Sequence, residues 1–185
     1  MPVRLYALHK PRGVICSSVA EGGAPTVFDL LPEGYRDWFA VGRLDKDSEG
    51  LILFCNKTRI AQRLMDPGGA AKTYAVTVQG FPREDKLEPM RIGGLSIEGK
   101  PVGGVQVRRL GKAPRGGTRF EVVLHEGRNR QIRRLFAAAG FRVRKLVRAA
   151  IGTLELGDLL PGEGRELSNS EVEALLGTFG RSVRP

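Results

Sequence analysis

Gly42-Arg43-Leu44-Asp45-Lys46-Asp47-Ser48-Glu49-Gly50-Leu51-Ile52-Leu53-Phe54 is the stretch that decides the fold of this chain. A short, carboxylate-rich loop bounded by glycines runs straight into an apolar segment with the character of a buried strand, expected over 51–55. The preceding Asp37-Trp38-Phe39-Ala40-Val41 also reads as strand, within 37–42, so Asp45 falls on a tight connection between two strands. Carboxylates carried on a loop by a rigid scaffold are where chemistry or ion binding concentrates. A metal site, a catalytic site and a polar turn all fit the loop taken alone.

The spacing Asp45-x-Asp47-x-Glu49-Gly50 imitates the opening of a calcium loop, with glycine at its sixth position. The twelfth position is Asn56 where a bidentate Glu closes the coordination shell, and the flanks read as strands rather than helices. No metal is expected. Arg43 and Lys46 are close enough in sequence to neutralise the acids as a local polar turn.

Charge narrows the partner. The 185 residues carry a net charge of +10, and the segment 108–148 holds 13 basic residues against 2 acidic ones. Most of these are Arg, whose planar fork matches phosphate and stacks on bases, so RNA or DNA is the expected partner. An anionic membrane fits less well, because no long amphipathic helix accompanies the charge and no apolar run reaches the length of about 20 residues needed to span a bilayer. The start of the chain moves directly into strand alternation without a secretory signal. Cys16 and Cys55 lie far apart in apolar runs and read as reduced core residues. A cytoplasmic monomer is the expectation.

Outward from the acidic loop, strands are expected at 3–8, 14–17, 72–78, 118–125, 142–147 and 152–156, with a hairpin of 95–97 and 102–107 around Gly99-Lys100. Helices are expected over 26–31, 57–65 (with Asn56 as N-cap), 84–91, 129–139 and from a Ser168/Glu171 or Ser170/Glu173 capping box to 176. Residues 111–117 read as a flexible basic loop. No repeat or linker divides the chain. The fold class is α+β, a single domain over 1–185 of two lobes hinged near 67–70.

A second motif bears on the acids. Glu126-Gly127-Arg128-Asn129-Arg130-Gln131-Ile132-Arg133-Arg134-Leu135-Phe136 sets a glycine turn before an amphipathic helix, with Arg130 and Arg134 on one face at i,i+4. Arg128, Arg130 and Arg134 fit phosphate contacts. Arg133, beside the apolar Ile132 and Leu135, fits either phosphate or a buried carboxylate partner such as Glu126 or Asp45.

Together these segments resemble the RsuA/RluB/RluE/RluF group of ribosomal RNA pseudouridine synthases, and most closely its RluE branch. The resemblance runs in order from His9-Lys10-Pro11-Arg12-Gly13 through the Asp45 loop, Lys72-Thr73-Tyr74 and Glu126–Arg134 to Leu146-Val147-Arg148-x-x-Ile151-Gly152. It implies the pseudouridine synthase catalytic fold: a large mixed, mainly antiparallel sheet spanning two lobes, flanking helices and a central cleft. It implies isomerisation of a uridine, expected in large-subunit ribosomal RNA, with no cofactor. By the same resemblance Asp45 is the catalytic aspartate, Tyr74 the tyrosine that packs on the target uracil, and Arg133 the arginine paired with Asp45. Leu146 is the apolar wall of the pocket, and Arg43 and Lys72 lie near the substrate. The wider group carries a small N-terminal RNA-binding domain that is not expected here, and some relatives have His in the place of Arg130.

Overall fold

A computed structural model describes residues 2–66 and 68–179. Among the described residues eleven strands are formed: β1 (Leu5–Lys10), β2 (Phe39–Val41), β3 (Glu49–Cys55), β4 (Lys72–Gln79), β5 (Ser96–Ile97), β6 (Lys100–Pro101), β7 (Gln106–Ala113), β8 (Gly117–Leu124), β9 (Val143–Ile151), β10 (Leu154–Glu155) and β11 (Gly164–Glu166). The helices are α1 (Thr58–Met65), α2 (Glu84–Ile92), α3 (Gln131–Ala138) and α4 (Asn169–Phe179). One large sheet has the order β11-β1-β3-β9-β4-β8-β7, with β2 added to β3 and β10 to β9. Among the described strands only β3 and β9 pair in parallel, so the sheet is mixed and mainly antiparallel, as the α+β reading requires.

The apolar run after the acidic loop is continuous because β3 is covered on both faces. Leu51, Leu53 and Cys55 pack with Ala61, Leu64, Val172 and Leu175 beneath α1 and α4. Ile52 and Phe54 face Tyr6, Leu8, Val27 and Leu31 on the other side. A separate cluster joins Val76, Val78, Phe120 and Val122 of the far strands to Leu87, Met90, Ile132, Leu135 and Phe136 of α2 and α3. Each fully buried side chain of this size contributes roughly 1.5–3 kcal/mol, so both halves hold independent shares of the core.

The two halves of the sheet meet where β3 runs beside β9, through the pairs Glu49–Val147 and Gly50–Arg148. Gly50 has φ +112°, and a Cβ there would overlap the Arg148 backbone. Only glycine permits so close an approach. The acidic loop therefore ends at the seam of the sheet.

Several local expectations change. Residues 14–17 and 26–31 form neither strand nor helix; an isolated bridge between Ile15 and Thr26 is the regular pairing there. Asn56 does not cap α1, whose N-cap is Lys57; its side chain instead accepts from Arg4 N–H at 2.9 Å and donates to Pro2 O at 2.9 Å. The hairpin expected from 95 to 107 is reduced to β5–β6, and residues 106–113 pair with β8 instead. The supposed flexible loop 111–117 is thus mostly strand, with a tip of residues 114–116. β9 continues through Ile151, and β11 was not anticipated, being three residues without alternation. The Ser168/Glu171 capping box is present: Glu171 N–H donates to Ser168 Oγ at 3.2 Å, and Ser168 N–H to Glu171 Oε2 at 2.8 Å. Pro67, at the expected hinge, lies outside the described residues.

Candidate active site

The acidic loop is fastened by groups distant in sequence. Gly13 N–H donates to Lys46 O at 2.7 Å, and Leu44 N–H to Cys16 Sγ at 3.3 Å. Lys10, at the end of β1, is fully buried. Its ammonium donates to Ser48 O at 2.6 Å and Pro11 O at 2.9 Å, with Lys46 O at 3.5 Å. Burial pushes the Lys10 pKa down; Cys16, Glu49, Asp47 and Asp45 pull it back up. From the other half, Arg133 Nη2 donates to Asp47 O at 2.9 Å and to Ser48 Oγ at 3.4 Å. Three segments, β1 with its following turn, the Cys16 region and α3, thus hold one loop.

The charge pairing differs from the one the motifs implied. Arg130, not Arg133, is the cation nearest the Asp45 carboxylate, with Nη1 at 3.4 Å from Oδ2. Arg130 also forks onto Asp47 at 2.9 and 3.1 Å. Arg133 Nε lies 3.4 Å from Asp47 Oδ2, an ion-pair distance without hydrogen-bond geometry. Arg133 therefore braces the loop through Asp47 and the backbone rather than through Asp45. Asp47, read as pairing locally, takes both of these distant arginines, while Arg43 and Lys46 stay exposed.

The departure has a backbone cause. Arg130 is not inside the helix: it is the N-cap of α3, at φ 51° and ψ 32°. A left-handed non-glycine residue costs about 1–3 kcal/mol and marks a position the surroundings over-determine. That conformation turns its side chain to the loop, so Arg130 and Arg134 do not share a helical face. Arg134 pairs with Glu98 at 2.7 Å, and Arg128 with Glu126 at 3.2 Å. Gln131 closes the same turn by donating to Glu126 Oε1 at 2.6 Å.

The Asp47 carboxyl is held below its ordinary pKa, chiefly by its Arg130 hydrogen bonds, with burial opposing and the Arg133 charge adding to the fall. A depressed folded pKa contributes stability above the unfolded value, about 3.9, which is lost as pH falls through the folded value. Asp47→Asn is therefore expected to melt below the wild type at pH 7, with the gap closing below about pH 4. Melting both proteins between pH 7 and pH 3 measures this; a gap independent of pH would remove charge from the explanation.

The apolar side of the site comes from the seam. Leu44, adjacent to Asp45, belongs to one buried cluster with Tyr74, Leu146 and Ile132. Tyr74, on β4, is 8% exposed and pairs with Arg148 across β9. Arg148, absent from the expected site, is buried and donates from Nε to Leu51 O at 2.7 Å; its Nη2 has no acceptor among the described residues. Lys72 opens β4, and its pKa is lowered by burial and then by the Arg148 charge. A cleft of about 980 Å³ adjoins the loop at Asp47 rather than at Asp45, Tyr74 or Leu146, and is lined by Arg12, Asp47, Arg130 and Arg133 and, further along, by Gln79, Phe141, Arg142 and Arg144. The arrangement offers a part-exposed carboxylate on a fixed loop, an apolar floor beside it and a strongly basic rim. The residues that imitate a calcium loop in sequence are used otherwise: Glu49 to Cys55 are strand, and Asp47 accepts from Arg130.

Comparison with known proteins identifies the family and the fold. Residues 4–138 match the family described as RNA pseudouridylate synthase. An uncharacterised RNA pseudouridine synthase of Mycobacterium bovis is 40% identical over 178 residues, covering 94% of this chain and 69% of the relative. Ribosomal large subunit pseudouridine synthase B of Bacillus subtilis is 36% identical over 172 residues, covering 92% and 70%. The chain spans 51% of the length of the Yersinia pestis synthase B, at 39% identity. A crystal structure of a pseudouridylate synthase superposes with TM-score 0.83 at 30% identity, covering 94% of this chain and 74% of the other. An archaeal Nop10–Cbf5 complex, with TM-score 0.59 at 19% identity, shares the fold.

Proposed function

Because the chain belongs to the RNA pseudouridylate synthase family, we propose that it isomerises a specific uridine of large-subunit ribosomal RNA with Asp45 as nucleophile. The observation that carries the reading is the Asp45 carboxylate: part-exposed, 3.4 Å from Arg130, on a loop held by Lys10, Gly13, Cys16 and Arg133. Relatives named as large-subunit synthases support the RNA class.

The reaction breaks the carbon–nitrogen bond between uracil and ribose, turns the base, and joins carbon 5 to the sugar. The proton of carbon 5 leaves and the ring nitrogen gains one, so atoms balance without oxidant, phosphoryl donor or metal. The target nucleotide has to leave its helix, at a cost of a few kcal/mol offset by stacking and phosphate contacts. Tyr74 and Leu146 receive the uracil, and Asp45 attacks. Arg130 keeps a cation beside that carboxylate. Arg133, by bracing Asp47 and Ser48, orients the loop. Arg43, Lys72, Arg128 and Arg134 contribute cations along the substrate path, the last two after exchanging their Glu126 and Glu98 partners for phosphate.

The reading includes one two-lobed domain acting as a monomer in the cytoplasm, on the RluE-like branch of the family. Among the described residues no helix is long and apolar enough to cross a membrane. The test is release of tritium from ribosomal RNA labelled at carbon 5 of uridine, with pseudouridines mapped in cells with and without the gene. Stoichiometric release and the loss of one mapped site are expected. Tight RNA binding without release, and an unchanged map, would instead make the protein a non-catalytic RNA-binding factor.

A further inference from the structure

The basic segment 108–148 looks uniform in sequence, but most of its cations are already engaged. Arg108 is paired with Glu121, Arg109 with Glu84, Arg128 with Glu126, Arg130 with Asp47 and Arg134 with Glu98. Arg133, Arg144 and Arg148 donate to backbone carbonyls, and Lys145 lies 4.0 Å from Glu49. Among the described residues Lys112, Arg115, Arg119 and Arg142 have neither an acceptor nor an ion-pair partner. Arg119 alternates with the buried Thr118 and Phe120 along β8, so it projects from the opposite face of the sheet. Lys112, Arg115 and Arg142 remain.

These three belong to one built feature, the tip of the β7–β8 hairpin and the start of β9 against which it is fastened. Arg144 Nη2 donates to Pro114 O at 2.7 Å, and Nη1 to Arg115 O at 3.0 Å and Gln79 Oε1 at 3.2 Å. Gln79 N–H donates to Arg142 O at 2.8 Å, and Gly80 N–H to Gly116 O at 2.8 Å. Gly117 is packed closely on β4, where a Cβ would lie 2.8 Å from the Val78 backbone oxygen as well as against the Arg144 guanidinium. Arg115 occupies φ 58°, a left-handed position that glycine or asparagine fills at less strain. A rigid tip with an unpaired arginine in a strained backbone conformation is not explained by packing. Gln79, Arg142 and Arg144 line the same cleft as Asp47, Arg130 and Arg133.

We infer that Lys112, Arg115 and Arg142 form a second RNA-phosphate contact, held by Arg144 beside the cleft that Asp47, Arg130 and Arg133 line, and gripping the strand that flanks the target nucleotide. The inference rests on the RNA substrate proposed above and extends it to a surface separate from Asp45. Arg144 is a positioning residue: its guanidinium is spent on the tip, and it acts on RNA through Arg115. The substrate class that follows is RNA with several ordered nucleotides beyond the target loop.

The test measures affinity across a salt series for two RNAs, a long ribosomal fragment and a minimal stem-loop containing only the target and its closing pairs. The variants are Lys112→Ala with Arg115→Gly, and Arg144→Met. Glycine at 115 removes the charge and keeps the backbone conformation, so the double variant folds. On the long fragment the double variant is expected to bind roughly ten-fold more weakly, with its salt slope reduced by about 2, one for each lost contact. On the minimal RNA its affinity should stay within about two-fold of the wild type, because that RNA ends short of the tip. Arg144→Met should weaken the long fragment in the same direction and add little to the double variant, since both act on one contact. An unchanged slope on the long fragment, an equal loss on both RNAs, or full additivity of Arg144→Met would overturn the inference. Wild-type protein that binds the long RNA but releases no tritium would sink the catalytic reading while leaving this surface to be judged by its own slopes.

Discussion

Replacing Asp45 by asparagine is expected to lower pseudouridine formation by at least about 10⁴-fold, the order of loss seen when a nucleophile or its essential partner is removed. RNA affinity should change by less than about two-fold, since phosphate contacts rather than this carboxylate supply binding. Asparagine keeps the size of the side chain and can still take a hydrogen bond from Arg130, now 3.4 Å from Oδ2. The loop is independently held through Lys10, Gly13, Cys16 and Arg133, so it should stay in place. Single-turnover tritium release, together with a binding curve for the same RNA, reads both quantities. Substantial residual turnover by Asp45→Asn would assign the chemistry to another group. Asp47 would be the first candidate, because Arg130 and Arg133 hold it as a carboxylate only two positions away.

Lys10→Met is expected to reduce the unfolding free energy by about 3 kcal/mol and to slow turnover by roughly 10- to 100-fold. Lys10 is fully buried and satisfies Ser48 O and Pro11 O at hydrogen-bond distance. Methionine fills the same space but donates nothing, so those buried carbonyls lose their partner at about 1–3 kcal/mol each. One of them lies three positions beyond Asp45, so the loss of stability is also a loss of position at the carboxylate. Urea unfolding and single-turnover release on the same preparation separate the two effects. A variant as stable as the wild type would mean that water reaches these carbonyls and that Lys10 is not what fixes the loop.

Much of the site was legible because its parts are chemically unusual within short windows. Asp45 stands out as a carboxylate on a glycine-bounded loop leading into a run that only a doubly covered strand can accommodate. Tyr74 and Leu146 are ordinary strand residues, marked only by the order of motifs around them. The placement of Arg130 has a local cause. Helical spacing puts Arg130 and Arg134 on one face, but the left-handed backbone at Arg130 takes it out of the helix and swings it onto Asp47 and Asp45. No periodicity carries that information. Lys10 and Arg148 belong to the motifs, but their burial is not legible because a buried cation leaves no hydropathy signal; each sits in strand where burial would ordinarily forbid it. Residues 111–117 looked flexible because glycine and proline are frequent there, whereas Arg144, distant in sequence, turns them into a fastened hairpin tip.

By itself the sequence determined the class of this protein: an α+β chain whose excess charge lies in one arginine-rich segment and whose acidic loop, with Asp45, sits between two strands. Those properties are local, set by side-chain alternation, turn residues and composition. Only the tertiary structure decided which cation stands beside Asp45, what holds its loop, and which arginines are left to meet RNA. Ion pairs form between groups that the sheet brings together from opposite ends of the chain. Whether an arginine is spent or free depends on whether a carboxylate or carbonyl lies within a few ångströms, a distance that sequence separation does not encode.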